Sequence, residues 1–505
     1  VDKEKTESAI VIGGGIGGLA TAALLAKKGF AVRLFEKNET LGGVANTFSA
    51  QGFTFDMGPS WYLMPDVFEA FFNLVGERVE DHLDLIKLSP SYRIYFKDQK
   101  RHFDFYSDLK RDLATFEQLE AGSGEKLKAY LERSKAQYEI ALGGFMYKNY
   151  DTVFDFFNKQ VATEGRKLEV FARMSDYVAK SFSSDEVQKI MEYQLVFLGS
   201  SPYNTPALYN IMSHIDFNMG VWYPRGGIHQ IVRALRNIGA KNGAQYFTNS
   251  PVARILTGRN HKARGVRLEN GEEYFADHIV SNANIHHTEQ KLLGKPHRTH
   301  SERYWQTRTL APSAFILYLG LKDKVEDIAH HNLIFSQDWK ANFAEIFDSP
   351  CWPSDPSLYV CAPSVTDASV APPGQENLFI LVPVAPGLKA TPQQLEKFAK
   401  RTLETVEKEM NIPNLQERIV YQRLFWGDDF ASRYNNLRGS ALGLAHTMSQ
   451  TAILRPNNKS KKLQNLFFAG ANTNPGIGMP ICLISAELAY KRIIGDKSAG
   501  HLQKL

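Results

Sequence analysis

Six consecutive residues, Gly13-Gly14-Gly15-Ile16-Gly17-Gly18, constrain this chain more than any others, because they place glycine at the first, third and sixth positions between an apolar run at 8–12 and a helix-forming stretch at 19–28. The run Ser-Ala-Ile-Val-Ile predicts a buried strand, Gly29 predicts the end of the helix, and 31–35 predicts a second buried strand closed by Glu36. Strand, glycine turn, helix and strand open a parallel α/β unit. Gly13 permits the tight turn, Gly15 lets backbone approach a diphosphate, and Gly18 lets helix and strand pack closely. The unpaired N–H groups at the helix start favour negative charge by roughly 0.3–1 kcal/mol per interaction. Glu36 stands near the spacing of about 20 residues expected of an acid that binds ribose. The motif predicts a bound dinucleotide.

The residues after Glu36 select among dinucleotides. A second glycine pair, Leu41-Gly42-Gly43, and the stretch Gly52-Phe53-Thr54-Phe55-Asp56-Met57-Gly58-Pro59-Ser60 come soon after the acid. Such a pair is a feature of FAD-binding flavoproteins, where more backbone must approach a longer cofactor. The tail repeats the theme, with Phe468-Ala469-Gly470-Ala471-Asn472-Thr473 and Gly476-Ile477-Gly478-Met479-Pro480 before a helix. A helix N-terminus there would stabilise negative charge on a reduced flavin ring.

Composition narrows the partners. A net charge of +5 over 505 residues, with no long basic run, argues against nucleic acid. Aromatic residues make up 12% of the chain, which suits a large apolar ligand. Three cysteines, Cys351, Cys361 and Cys482, with no CxxC pair, support neither a disulfide framework nor a metal site, and fit a reducing compartment. The charged start Val1-Asp2-Lys3-Glu4-Lys5 predicts no export signal. Two uncharged windows, 193–215 and 463–486, are long enough to span a bilayer, but Gly199-Ser200-Ser201-Pro202 and Asn472-Thr473-Asn474-Pro475-Gly476 would leave backbone groups unsatisfied in lipid.

Along the chain, 66–193 reads as helix-rich, with a dense aromatic stretch from Phe145-Met146-Tyr147 to Phe156-Phe157 that would be either a helical satellite of the core or a cover over a ligand or membrane surface. Strands are expected at 245–247, 252–256, 265–268, 278–281 and 465–469, an antiparallel stretch around 314–321 and 378–384, and a last helix at about 481–493.

On these motifs the chain resembles the phytoene desaturase family of carotenoid desaturases, within the amine-oxidase-like flavoproteins. The resemblance runs through 11–43, GFTFDMGPS at 52–60, VWYPRGGIHQIVRAL at 221–235, DDFASRYNNLRGSALGL at 428–444, RP at 455–456 and LFFAGANTNPGIGMP at 466–480. It implies an α/β fold: a Rossmann-like FAD-binding domain built from discontinuous segments (1–88, 221–300, 430–505), an interleaved α+β substrate domain (89–220, 301–429), and a helix-rich membrane-facing region at about 110–200. It implies that Gly13, Gly15, Ile16, Gly17 and Gly18 face the pyrophosphate, that Glu36 holds the adenosine ribose with Lys37 beside it, and that Val252 meets adenine through its backbone. Gly43, Val44, Gly58, Pro59 and Ser60 would approach the ribityl and flavin parts, and Gly470, Ala471, Gly478 and Met479 the distal phosphate and isoalloxazine. Two departures stand out: Val44 where the family usually has Arg, and Asn474 where it usually has His. They point to a branch acting on an already modified carotenoid.

The implied activity is FAD-dependent dehydrogenation of a CH–CH bond in a C40 carotenoid, with 3,4-desaturation of a hydroxylated carotenoid preferred and phytoene desaturation second. A polar-substrate flavin oxidase and a prenyl-protein escort of the Rab GDP-dissociation inhibitor type are the rival readings. The implied partners are the carotenoid, a membrane surface contacted monotopically from the cytoplasmic side, and oxygen or a quinone as electron acceptor. His214, His229, His446, Asp216, Arg225, Asp428 and Asp429 lie in or near the motifs, and the sequence singles out none of them as the proton acceptor.

Overall fold

The computed structural model describes residues 6–99, 101–152 and 172–505. A five-stranded, all-parallel sheet carries the glycine motifs, in the order Leu466–Phe468, His278–Ser281, Ser8–Ile12, Ala31–Phe35 and Gln245–Phe247. Its strands come from the beginning, middle and end of the chain, so the sheet closes only when both ends meet. Four helices shape the cavity and its support: α1 (Ile16–Lys27), α2 (Ser123–Gly144), α3 (His229–Lys241) and α4 (Met479–Ile494). Helix α1 is apolar all round, as a helix buried on every side must be, and packs with α3 and α4 over the sheet through Leu19, Ala23, Val232, Leu235, Leu483 and Ala486. A three-stranded antiparallel meander, Val252–Thr257, Ala263–Leu268 and Glu273–Phe275, packs on the sheet's other face through Ile255 and Val266 against Ile10 and Phe35.

A second, seven-stranded sheet runs Ile419–Phe425, Ser313–Leu321, Glu376–Val384, Leu358–Cys361, His331–Phe335, Tyr92–Phe96 and His102–Phe105. Along Ser313–Leu321 the side chains alternate as a pleated strand requires: Ile316 and Tyr318 join the aromatic core facing the cavity, and Phe315, Leu317 and Leu319 join the core under the helix Pro392–Glu409.

The helix-rich expectation for 66–193 needs correction. Strands at Leu85–Lys87, Tyr92–Phe96 and His102–Phe105 interrupt it, the last two extending the seven-stranded sheet. Tyr-Arg-Ile-Tyr-Phe is buried at every position, so no polar alternation marks it as a strand. In the aromatic stretch, Phe145 and Met146 line a cavity and Tyr147 is buried, whereas Phe156 and Phe157 lie outside the described residues. Among the described residues no helix is long and apolar enough to cross a membrane.

Burial leaves a pH signature. It pushes Asp56 and Asp112 up to about 7, Asp216 up to about 6 and Glu192 up to about 8. Each holds its proton more tightly folded than unfolded, so its contribution to stability is complete below the ordinary carboxylate range and is lost as pH rises through 6 to 8. The buried histidines, such as His330 pushed down to about 3, act in the opposite sense only below their ordinary value of 6.5. A tenfold difference in proton affinity between the folded and unfolded chain is worth ~1.4 kcal/mol for each group, so the thermal midpoint should fall by several degrees between about pH 6.5 and about pH 8.5. A midpoint that rises over that interval in a calorimetric scan would contradict the burial of these carboxyls.

Candidate functional site

The two sheets and α2 enclose one continuous cavity of about 1730 Å3. Its polar end is backbone. Gly13, Gly15, Ile16, Gly17, Gly43, Val44, Gly58, Pro59, Ser60, Val252, Ala471, Gly478 and Met479 line it together with Glu36 and Lys37, so residues scattered over the whole sequence share one wall. Gly18 and Gly470 stand behind that wall. A Cβ on Gly18 would lie 2.1 Å from the Gly13 carbonyl oxygen, so this glycine serves helix–turn packing, and Gly470 donates its N–H to Ser485 Oγ at 3.0 Å.

The wall is laced by its own backbone. Gly42 N–H donates to the Gly14 carbonyl at 2.8 Å, and a Cβ on Gly43 would sit 3.2 Å from Gly15 Cα. Glu36 Oε2 accepts the Gly14 N–H at 2.7 Å, and its Oε1 accepts from the Asn38 N–H and amide at 2.9 and 2.8 Å, which fixes a buried carboxylate on the cavity side of the strand end. Lys37 Nζ donates to the Ser432 carbonyl at 2.6 Å, tying the opening unit to the tail.

Helices α1 and α4 both begin on this wall, with Gly15 and Gly478 as caps, no capping side chain and no acid in the first turn. Two sets of unpaired N–H groups therefore face one cavity, an arrangement that favours two separate negative charges. The cradle fits FAD: the α1 turn and the α4 start would each suit negative charge, and Glu36 stands where an acid could hold a ribose. The missing side chains are a requirement here, because a Cβ on Gly15 or Gly17 would come within 2.8 or 2.7 Å of the Asn282 amide.

Two residues without a role in the sequence reading hold the wall in place. Asn282, just past the strand His278–Ser281, packs its amide against the Cβ positions of Gly15, Gly17 and Gly470. Arg455 is buried with no carboxylate partner among the described residues, and donates to the carbonyls of Thr473, Leu444 and Ala471 at 3.1, 3.0 and 2.7 Å, stapling two loops of the cavity together. Burial pushes this guanidinium down to about 10. The Arg-Pro pair was the one sequence signal for it.

Of the residues left open for proton chemistry, His446 alone reaches the cavity wall. Its Nε2 accepts the Ile477 N–H at 3.1 Å, so the neutral ring carries its proton on Nδ1 and donates it to Tyr209 Oη, which bonds Thr451 Oγ1 at 2.6 Å. Burial, with Arg455 nearby, holds His446 well below the usual histidine range. With both nitrogens engaged, it positions the Gly476-Ile477 loop. His214 pairs with the Asn218 amide at 2.7 Å and His229 with the Ala45 carbonyl at 3.2 Å. Arg225 and Asp428 form exposed ion pairs with Asp84 and Lys389, and Asp429 caps the Trp426 N–H at 2.9 Å. Asp216 is buried, one oxygen taking Tyr92, Tyr193 and Gln194 at 2.8, 2.9 and 2.8 Å.

The apolar part of the same cavity, its apolar arm, is lined by Met64, Ala141, Phe145, Met146, Phe197, Ile211, Met212, Ile215 and Phe335. Its rim includes Met448 and Leu454, exposed at 38% and 55%.

A parallel sheet with an uncapped glycine turn, a buried carboxylate at the next strand end and a second helix start on one wall is the arrangement of a dinucleotide-binding flavoprotein oxidoreductase. The profile of the family described as flavin containing amine oxidoreductase matches residues 16–494, and the chain belongs to that family, with FAD as its cofactor. Among curated relatives, the chain is 44% identical to a carotenoid 3,4-desaturase of Haloarcula japonica, over 97% of this chain and 98% of that one. It is 38% identical to a zeta-carotene-forming phytoene desaturase of Myxococcus xanthus, over 96% and 93%. Among solved structures, an oxidoreductase from Methanosarcina mazei shares the fold with a TM-score of 0.63 at 18% identity, covering 96% of this chain and all of that one. The family and the FAD-binding α/β fold are those expected from the motifs.

Proposed function

We propose that the protein is an FAD-dependent carotenoid desaturase that introduces the 3,4 double bond of a hydroxylated carotenoid. The observation that carries this reading is that one cavity is lined both by the glycine wall and by the apolar arm. A polyene has no polar handle along its chain, so its binding must come from apolar burial, worth ~25 cal/mol per Å2 before ordering losses. When bound, FAD accepts two electrons and a hydrogen from the substrate. The chain's own part is to hold the substrate's CH–CH bond against that cofactor, exclude water and take up the second hydrogen as a proton. The 44% identity to a 3,4-desaturase over nearly the full length favours that bond, and phytoene desaturation is the second reading.

The substrate lives in a bilayer, and the exposed Met448 and Leu454 at the cavity's rim suit contact with its surface. We therefore infer a monotopic attachment on the cytoplasmic side, with oxygen or a quinone re-oxidising the cofactor. Co-expression with each carotenoid of such a pathway, followed by pigment chromatography, tests the reading. A hydroxylated carotenoid should gain one double bond at the 3,4 position. Consumption of phytoene alone would move the assignment to the second reading. In the same strains, M448E/L454E should shift the protein from the membrane pellet to the supernatant.

A further inference from the structure

The stretch 52–60 holds a carboxylate with no part in the cofactor cradle. Asp56 caps the start of α3: its Oδ2 accepts the Ile228 N–H at 2.9 Å and its Oδ1 the His229 N–H at 3.3 Å. The fit requires Gly227, where a Cβ would lie 3.0 Å from Oδ2 and 3.1 Å from Oδ1. Asp56 also lines a small chamber of about 20 Å3, together with Ser60, Tyr223, Cys361 and Asn377. A volume above about 10–15 Å3 with polar walls has room for one water. Ser60 belongs to both walls, facing the chamber and the large cavity, and its Oγ lies 2.6 Å from Tyr359 Oη, a second polar group on the large cavity's wall. Ser60 is therefore a wall residue common to the large cavity and the chamber.

We propose that Asp56 is the proton acceptor of the reaction, reached from the cavity through the Ser60 hydroxyl and one water in the chamber; the inference rests on the desaturase reading. For each double bond formed, one carbon gives a hydride, with both electrons of its C–H bond, to the oxidised cofactor. The neighbouring C–H bond breaks, its electron pair becomes the second bond of the C=C, and its proton goes to Ser60 Oγ while the serine's own proton moves through the water to Asp56.

The electrical surroundings suit the role. Burial pushes Asp56 up to about 7, so the carboxylate is available near neutrality and binds a proton readily once one arrives. Tyr223, Tyr318 and Cys361 are the titratable groups that face it, and burial raises all three, so each stays neutral there. Asp367, held below the ordinary carboxylate range, accepts the Gly226 N–H at 2.6 Å on the same turn. The rival carboxylate, Asp216, already takes three donors on one oxygen.

Two readouts test this on the FAD-loaded protein. Infrared difference spectra of the oxidised protein should contain a protonated-carboxyl band that titrates near pH 7 and is absent in D56N, a result independent of turnover. In anaerobic mixing with hydroxylated carotenoid in phosphatidylcholine vesicles, the rate of flavin bleaching should rise through the same pH. S60A should slow it by ~100-fold per bound flavin, with the infrared band unchanged. S60A keeps the test decisive if D56N, which also uncaps α3, fails to fold. An S60A protein that bleaches at the wild-type rate, or a pH inflection that survives in D56N and disappears in D216N, would overturn the inference while leaving the desaturase reading intact. Wild-type flavin that no carotenoid bleaches would overturn that reading, and the inference with it.

Discussion

Replacing Gly17 with valine should give a folded but colourless protein. A Cβ at this position would lie 2.9 and 3.0 Å from Gly470 Cα and N, and 2.7 Å from Asn282 Oδ1. Two of those atoms are backbone just past the strand that the tail adds to the parallel sheet, so they cannot rotate away. The start of α1 must instead move away from that backbone, and the turn that lines the cavity moves with it. FAD affinity should fall by at least ~100-fold, a loss of ~2.7 kcal/mol, read as the ratio of visible flavin absorbance to protein after gel filtration. Gly143→Ala is the matched control: no atom comes within 4 Å of its Cβ position, and flavin content should be unchanged. A yellow G17V protein with full flavin would mean that the cofactor does not use this turn.

Ala141→Trp should separate cofactor binding from turnover. Ala141 lies on α2, 6% exposed, on the apolar arm, and is not among the atoms packed around any glycine of the cradle. A tryptophan there fills space that the polyene requires, and the neighbouring Tyr138 and Tyr147 are themselves buried and leave little room for it to turn aside. The variant should bind FAD fully while its conversion of carotenoid falls by ~100-fold or more, measured by chromatography against flavin content. Unchanged conversion would show that the substrate runs elsewhere.

The two ends of the chain were legible in sequence because their signals are local. Glycine spacing, an apolar run of strand length and an acid at the next strand end are each visible within a few residues, and the parallel strands Ser8–Ile12 and Ala31–Phe35 fall where those signals put them. Helix α1 starts at Ile16, earlier than the helix formers at 19–28 suggested, because Gly17 and Gly18 join it where packing forbids side chains. Tyr92–Phe96 was hidden by burial on both faces, which erases the period-two pattern. Asn282, Arg455 and the chamber beside Asp56 were hidden for a different reason. The amide of Asn282 meets Gly17, and Ser60 shares a wall with Cys361, across hundreds of residues, while Arg455 staples loops through carbonyls that carry no side-chain signature, and spacing in sequence records none of these meetings. The cysteines illustrate the same limit, since Cys361 acquires its surroundings through cross-strand pairing with His331 and Phe379.

If one cavity holds an oxidised flavin beside a long apolar substrate, the two must react within a single binding event. Anaerobic single-turnover mixing of the FAD-loaded protein with hydroxylated carotenoid in vesicles puts this to the proof. The flavin should bleach in step with the appearance of one new C=C bond per flavin. A flavin that stays oxidised with every carotenoid offered, yet is bleached by a small amine, would show that the apolar arm serves some other purpose and that the protein is not a desaturase.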